Sequence, residues 1–240
     1  TPRSNRRQRQ MCIRDRAGAP PHLYQYVQLM TDKIAIRQQI RKKRASLPAF
    51  RQHLASLALV RRILSNVTAI HHVDRIAFYL AQDGEIDLLP LMVHCFNQGR
   101  RCYLPVLGTP DNKKLNFAEW TPRQPMSYNR YGIAEPIVHH RQRLTAAEMG
   151  LIFMPLVAFD ANGNRLGMGG GYYDRSLAEC CSSGSSASAR NVNTGKRPVL
   201  IATGHDIQYI PYLPRDSWDI VPDMTITPGH IIKPHYISEG

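Results

Sequence analysis

The stretch Asn164-Arg-Leu-Gly-Met-Gly-Gly-Gly-Tyr-Tyr-Asp-Arg175 holds the residue types that most directly imply chemistry. Gly167, Gly169, Gly170 and Gly171 would let backbone N–H groups approach an anion closely. A helix starting near Tyr172 would add unpaired first-turn N–H groups and partial positive charge. Together these features make a phosphate cradle. The loop is not a Walker A motif, because no G-x-x-x-x-G-K-[ST] is present. It also departs from the dinucleotide fingerprint, since the sixth position counted from Gly167 is Tyr172 rather than Gly. A plain strand-to-helix turn is the other reading of the same residues.

Lys33 and Arg37 are four apart, so on a helix they share a face and would clamp one polyanion. A solvated basic face has the same spacing. Arg41 continues that stripe. Glu85 follows an apolar run and the turn Gln82-Asp-Gly84. That puts a carboxylate at the mouth of a parallel sheet, where α/β enzymes bind ligands. A helix N-terminal acid is its alternative role. His71, His72, His139, His140 and His205 show no metal-ligand spacing. Cys12, Cys95, Cys102, Cys180 and Cys181 form no C-x-x-C pair and are odd in number. Neither a zinc site nor a disulfide framework is indicated, and a reducing cytoplasm fits.

The elements that must position these residues follow from periodicity. Asp32 to Leu47 reads as a basic helix with Ile36 and Ile40 on one face and Pro48 as its stop. A second helix places Leu54, Leu57, Ala58 and Leu64 on one side. Arg75–Leu80 is a strand, Leu88–Gly99 a helix and Cys102–Leu107 a strand. A strand is expected at Leu115–Trp120, and Leu151–Val157 is the most apolar strand of all. The glycine loop comes next, then a helix over Tyr172–Cys180. Pro198–Thr203 and Met224–Thr227 are the last strands. Strands alternating with helices imply an α/β sandwich around a largely parallel sheet.

The chain has 240 residues, 43% hydrophobic and 20% charged, as suits one domain with or without a tail. No run of about 18 apolar residues is present, so no membrane-spanning helix is expected. The formal net charge is +13, and residues 1–30 supply +5 of it through six arginines against Asp15. Residues 1–29 lack apolar periodicity, and Met11-Cys-Ile-Arg-Asp-Arg16 looks like a translated sequencing adapter. We expect this stretch to be a non-native or disordered basic leader. Residues 30–240 would form a single catalytic domain with a flexible, Ser/Gly-rich insertion at about 182–197.

Arg165-Leu-Gly-Met-Gly-Gly-Gly-Tyr-Tyr-Asp174, following Met154-Pro-Leu-Val-Ala-Phe-Asp160, closely resembles the signature of the 5-formyltetrahydrofolate cyclo-ligase (5,10-methenyltetrahydrofolate synthetase) family. The resemblance runs from about Asp32 to Pro228. It implies a three-layer α/β sandwich with a mainly parallel sheet, Rossmann-like and of the NagB/RpiA/CoA-transferase kind. It assigns ATP contacts to Lys33, Arg37, Arg165, Leu166, Gly167, Met168, Gly169, Gly170, Gly171, Tyr172 and Tyr173. It assigns folate contacts to Leu80, Glu85, Pro136, Met168, Gly169, Gly170, Gly171 and Tyr172. Pro136 closes Tyr131-Gly-Ile-Ala-Glu-Pro136, which resembles the family's loop over the pterin. Asp174 matches its magnesium-binding Asp, although an acid in a first helical turn is also a common dipole partner. Trp218-Asp-Ile220 nominates Asp219 as the second Mg2+ ligand, with Asp223 as a lesser helper. Lys33, Arg37 and Asp174 are the residues expected to carry catalysis.

The implied reaction is cyclisation of 5-formyltetrahydrofolate by a cytoplasmic monomer, with ATP as co-substrate and no nucleic-acid or membrane partner. Another ATP-dependent small-molecule phosphotransferase on the same scaffold is the first alternative. A nucleic-acid-binding protein, suggested by the basic charge, is the second, but no motif of that class is visible.

Overall fold

The computed structural model describes residues 32–108, 113–181 and 197–234. The leader lies outside the described residues, as does the insertion except for Arg197. Helix α1 (Lys33–Ala45) is capped by Asp32, whose side chain accepts from Ile34 N at 2.8 Å. Pro48 precedes α2 (Ala49–Asn66). Strand β1 (Arg75–Ala77), helix α3 (Leu89–Asn97) and strand β2 (Arg101–Leu107) form one crossover unit. Gly99, at φ +76, ends α3 in the left-handed conformation expected of a terminating glycine.

Strand β3 (Leu115–Trp120) returns antiparallel to β2. A small hairpin follows, β4 (Met126–Tyr128) and β5 (Ala134–Pro136). Then come β6 (Leu151–Pro155), the hairpin β7 (Ala158–Phe159) and β8 (Arg165–Leu166), and helix α4 (Tyr172–Cys181). Strands β9 (Val199–Thr203), β10 (Met224–Ile226) and β11 (Ile231–Ile232) complete the chain.

The large sheet has the order β11-β10-β9-β6-β1-β2-β3. Its five central strands pair in parallel, and only the edge strands β3 and β11 run antiparallel. Parallel strands covered on both faces should bury consecutive residues, and these do. Ile76, Cys102, Leu151 and Phe153 face a core shared with Leu59 and Ile63 of α2 and Leu91 and Met92 of α3. Their neighbours Ala77, Tyr103, Ile152 and Met154 face the opposite core, with Leu177 and Cys180 of α4. The result is the expected three-layer α/β sandwich.

Two strands stop short of their expected ends. The β1 ladder ends at Ala77, although Phe78 N still donates to Tyr103 O at 2.9 Å. The chain then peels away towards Gln82-Asp-Gly84. The apolar run Leu151–Val157 splits after Pro155, and Ala158–Phe159 pairs instead with Arg165–Leu166. This second hairpin is the platform for α1, whose Ile36 and Ile40 pack on Val157, Ala158, Leu166, Ile210 and Leu213.

Candidate active site

A cavity of about 900 Å³ opens at the C-terminal ends of the central parallel strands. Leu80 and Glu85 enter it from beyond β1, Pro105 and Leu107 from β2, and Pro155 and Leu156 from the end of β6. One face of α1 supplies Lys33 and Arg37, so the shared-face spacing does converge on one space. The loop Arg165–Gly171 and the start of α4 close the opposite side.

Asp160 sets up that loop. Its fully buried carboxylate accepts from Asn162 N and Asn164 N at 2.9 Å each, from Asn164 Nδ2 at 2.8 Å and from Leu213 N at 3.2 Å. These bonds fix the Asp160–Gly163 turn and thereby aim Arg165 and the glycines. The loop is tied to α1 by Arg37, whose Nε donates to Gly167 O at 2.8 Å. Gly169 has φ +94, and a Cβ there would meet the Arg37 guanidinium carbon at 3.4 Å. Gly171 has φ +63 and immediately precedes α4. The backbone therefore comes within contact distance of a cation because this residue has no side chain.

The acidic residues gather at the start of α4. Arg165 Nη2 donates to Asp174 Oδ1 at 2.5 Å, and Ile220 N donates to the same oxygen at 3.1 Å. The second contact draws the 216–220 segment beside the helix start. There Lys33 Nζ donates to Asp216 Oδ2 at 2.8 Å and to Asp219 Oδ2 at 3.0 Å. Burial opposes the Lys33 charge, but the two carboxylates outweigh it and hold the ammonium above its usual range. Among the described residues, no three His, Cys, Asp or Glu side chains gather in a metal-binding group. A magnesium ion does not require three. It typically takes one or two carboxylates and completes its shell with phosphate oxygens and water. The oxygen-only donor set of Asp174 and Asp219 fits that chemistry.

Glu85 sits in a drier part of the cavity. Its Oε2 accepts from Gln82 N at 3.1 Å, and its Oε1 lies 3.7 Å from Arg44 Nη1. Burial pushes its carboxyl up to about 7, although Arg44 opposes the shift. The nearby Tyr79 and Tyr173 hydroxyls are also pushed up by burial. Tyr79 Oη donates to Ile86 O at 3.0 Å and lies 2.9 Å from Thr203 Oγ1, whereas the buried Tyr173 hydroxyl has no hydrogen-bond partner among the described residues. At the cavity rim, Tyr131 and Tyr172 hydroxyls lie 3.0 Å apart and link the β4–β5 hairpin to α4.

Of the residues singled out from the sequence, Lys33, Arg37, Leu80, Glu85, Arg165, Leu166, Gly167, Met168, Gly169, Gly170, Gly171, Tyr172, Tyr173, Asp174 and Asp219 all line this one cavity. Pro136 does not. Residues alternate in β5, so Ile133 and Glu135 face the cavity while Pro136 is buried opposite Met126. Arg41 turns away and pairs with Asp83 at 2.6 Å. Asp223 instead ties β9 to the preceding segment, accepting from Leu200 N at 2.8 Å and pairing with Arg197. Asp216 and Arg44 were not foreseen. For Arg44 a signal existed: it continues the Ile36–Ile40 stripe at the same four-residue step.

Three comparisons bear on this cavity. The model of the 5-formyltetrahydrofolate cyclo-ligase family matches residues 29–228. The chain is 36% identical over 185 residues to a 5-formyltetrahydrofolate cyclo-ligase of Haemophilus influenzae, covering 77% of this chain and 91% of that protein. It is 34% identical over 190 residues to the protein of that name in Escherichia coli (strain K12), covering 79% and 96%. The fold is similar to that of Aquifex aeolicus 5,10-methenyltetrahydrofolate synthetase, with a TM-score of 0.67 at 23% identity over 87% of this chain and 99% of that one.

Proposed function

The chain belongs to the 5-formyltetrahydrofolate cyclo-ligase family, and from that premise we propose that its cavity converts 5-formyltetrahydrofolate and ATP to 5,10-methenyltetrahydrofolate, ADP and phosphate. One observation carries the assignment to this cavity. Two cations from α1, a glycine loop at a helix start, and the carboxylates Asp174 and Asp219 all meet in one space.

The formyl group on N5 is amide-like, and its oxygen is a poor leaving group. Transfer of the γ-phosphoryl to that oxygen breaks the bond to ADP and leaves an activated iminium phosphate. N10 then attacks the formyl carbon and loses its proton, and the carbon–oxygen bond breaks to release phosphate. Phosphoryl transfer depends mainly on positioning and charge neutralisation. Lys33 and Arg37 supply fixed positive charge. The N–H groups of the loop and the first turn of α4 supply directed donors. Mg2+ held by Asp174 and Asp219 would neutralise phosphate charge. Leu80 and Glu85 form the folate side, and no side-chain nucleophile is required. We place the reaction in the cytoplasm, in keeping with the buried thiols Cys95 and Cys102; among the described residues no helix is long and apolar enough to cross a membrane.

Ultraviolet absorbance of the methenyl product, followed with and without ATP, tests the reading. Turnover should require ATP and release free phosphate. Lys33→Ala and Asp174→Ala should each abolish it. Wild-type-like turnover in both variants would refute the site. A phosphorylated product in place of free phosphate would identify a small-molecule kinase instead.

A further inference from the structure

Helix α1 exposes Arg41, Lys42 and Lys43 but buries Arg44 completely. A buried arginine in a basic helix is costly unless its charge is answered. Arg44 does not line the cavity, so phosphate binding does not account for it. Its Nε donates to Asp83 O at 2.8 Å, and its Nη1 lies 3.7 Å from Glu85 Oε1. Both terminal nitrogens are buried without a hydrogen-bond partner among the described residues.

The turn that Arg44 grips is conformationally unusual. Asp83 has φ +49, the only positive φ outside glycine among the described residues, and Gly84 follows at φ +73. Such a conformation persists only where its surroundings enforce it. Arg41 holds the Asp83 carboxylate, and the His205 ring lies 3.2 Å from Gly84 O. Glu85, the last residue of the turn, reaches into the cavity.

We propose that Arg44 is a positioning residue for the substrate: from behind the cavity wall it fixes the Gln82–Glu85 turn and sets the placement and charge of the Glu85 carboxylate. It thereby controls folate affinity without touching the folate. This inference rests on the reading of Glu85 as a folate contact. Other groups facing Glu85 cannot replace Arg44. Asp83 is itself acidic, Arg41 acts more weakly, and the Tyr79 and Tyr173 hydroxyls are held protonated. His205 is pushed down, first by burial, which disfavours its charged form.

The test compares wild type, Arg44→Met, Arg44→Lys and Glu85→Gln, measuring KM for 5-formyltetrahydrofolate and for ATP across pH. In wild type, kcat/KM for the folate should fall as pH drops through about 7, where Glu85 gains its proton. Glu85→Gln should be impaired and lack that inflection. Arg44→Met should raise folate KM about tenfold, leave ATP KM within about twofold, and move the inflection up by about one to three pH units. Arg44→Lys keeps the charge without the planar fork. It should hold the inflection near wild type while folate KM rises several-fold, and it decides the matter if Arg44→Met does not fold. An unmoved inflection in Arg44→Met overturns the proposal. So does Arg44→Lys with unchanged folate KM, or with folate and ATP KM raised alike. In those cases an impaired Glu85→Gln leaves the reading of Glu85 standing. Wild-type folate KM in Glu85→Gln removes that reading and the proposal with it.

Discussion

Gly169→Ala should weaken ATP binding more than it weakens the fold. Gly169 has φ +94, where an L side chain is strained by about 1–2 kcal/mol. In a chain of this size that lowers Tm by about 2–8 °C. The new Cβ would also press on Arg37, at 3.4 Å from its guanidinium carbon and 3.6 Å from Nε. That is the near edge of ordinary contact, so the new methyl crowds Arg37 beside its 2.8 Å bond to Gly167 O and weakens it. A hydrogen bond to a charged group contributes about 1.5–3 kcal/mol, so ATP KM should rise about 10- to 100-fold. Gly99→Ala is the control. It has φ +76, nothing lies within 4 Å of its added Cβ, and it ends α3, away from the cavity. It should lower Tm similarly and leave ATP KM unchanged. Thermal melts with steady-state kinetics at saturating folate make the comparison. If Gly169→Ala merely matches Gly99→Ala, Arg37 and the loop do not hold the nucleotide together.

Asp219→Asn should raise the magnesium concentration for half-maximal turnover at least about tenfold. Its part-exposed pair with Lys33 should cost under about 1 kcal/mol of stability; an unchanged magnesium response would reassign the metal. Glu85→Gln should remove a pH dependence from folding stability. Because the folded carboxyl is raised to about 7, wild-type stability falls as pH climbs from about 4.5 to 7. Wild type should therefore lose about 3 kcal/mol relative to the variant between pH 4.5 and 7 in denaturant titrations, on top of the pH-independent cost of leaving Arg44 unpaired in the variant. Asp206 shows the opposite sign. Burial works against its charge, but hydrogen bonds from Thr227, His230 and Gly229 outweigh it and hold the carboxyl below its usual range. Asp206→Asn should lose stability at neutral pH, and its curve should meet wild type as pH falls below about 4.

What could be read from the chain is what depends on neighbours in sequence. Asp32 and Pro48 marked the ends of the first helix, and both faces of β6 were apolar, as a buried parallel strand requires. The glycine cluster between an apolar strand and a helix start marked the loop where the chain comes close to a cation. The carboxylates around Lys33 were harder. Asp216 reaches Lys33 across 183 positions, and nothing local distinguishes it from a surface acid. Pro136 was misplaced by one residue because the β4–β5 hairpin was not foreseen, and in a strand one residue reverses the face. Arg41 was given to the cavity face, and Arg44 was not foreseen. The stripe Lys33, Arg37, Arg41 looked continuous, but Asp83 captures its last member.

Helix α1 shows why the site can be so compact. It does not pack on the main sheet but on the β7–β8 hairpin, which exists because the β6 run breaks after Pro155. The same hairpin, fixed by Asp160, leads directly into the glycine loop. Cations and loop are therefore mounted on one small platform, and Arg37 ties them to each other. The Glu85 side of the cavity, proposed for the folate, is mounted differently, on the turn beyond β1, and reaches α1 through Arg44 and Arg41. A single helix thus lines the proposed nucleotide side by one face and braces the Glu85 side by the next. Perturbing the platform, for example at Asp160, should disturb both substrates, whereas perturbing Arg44 should disturb one.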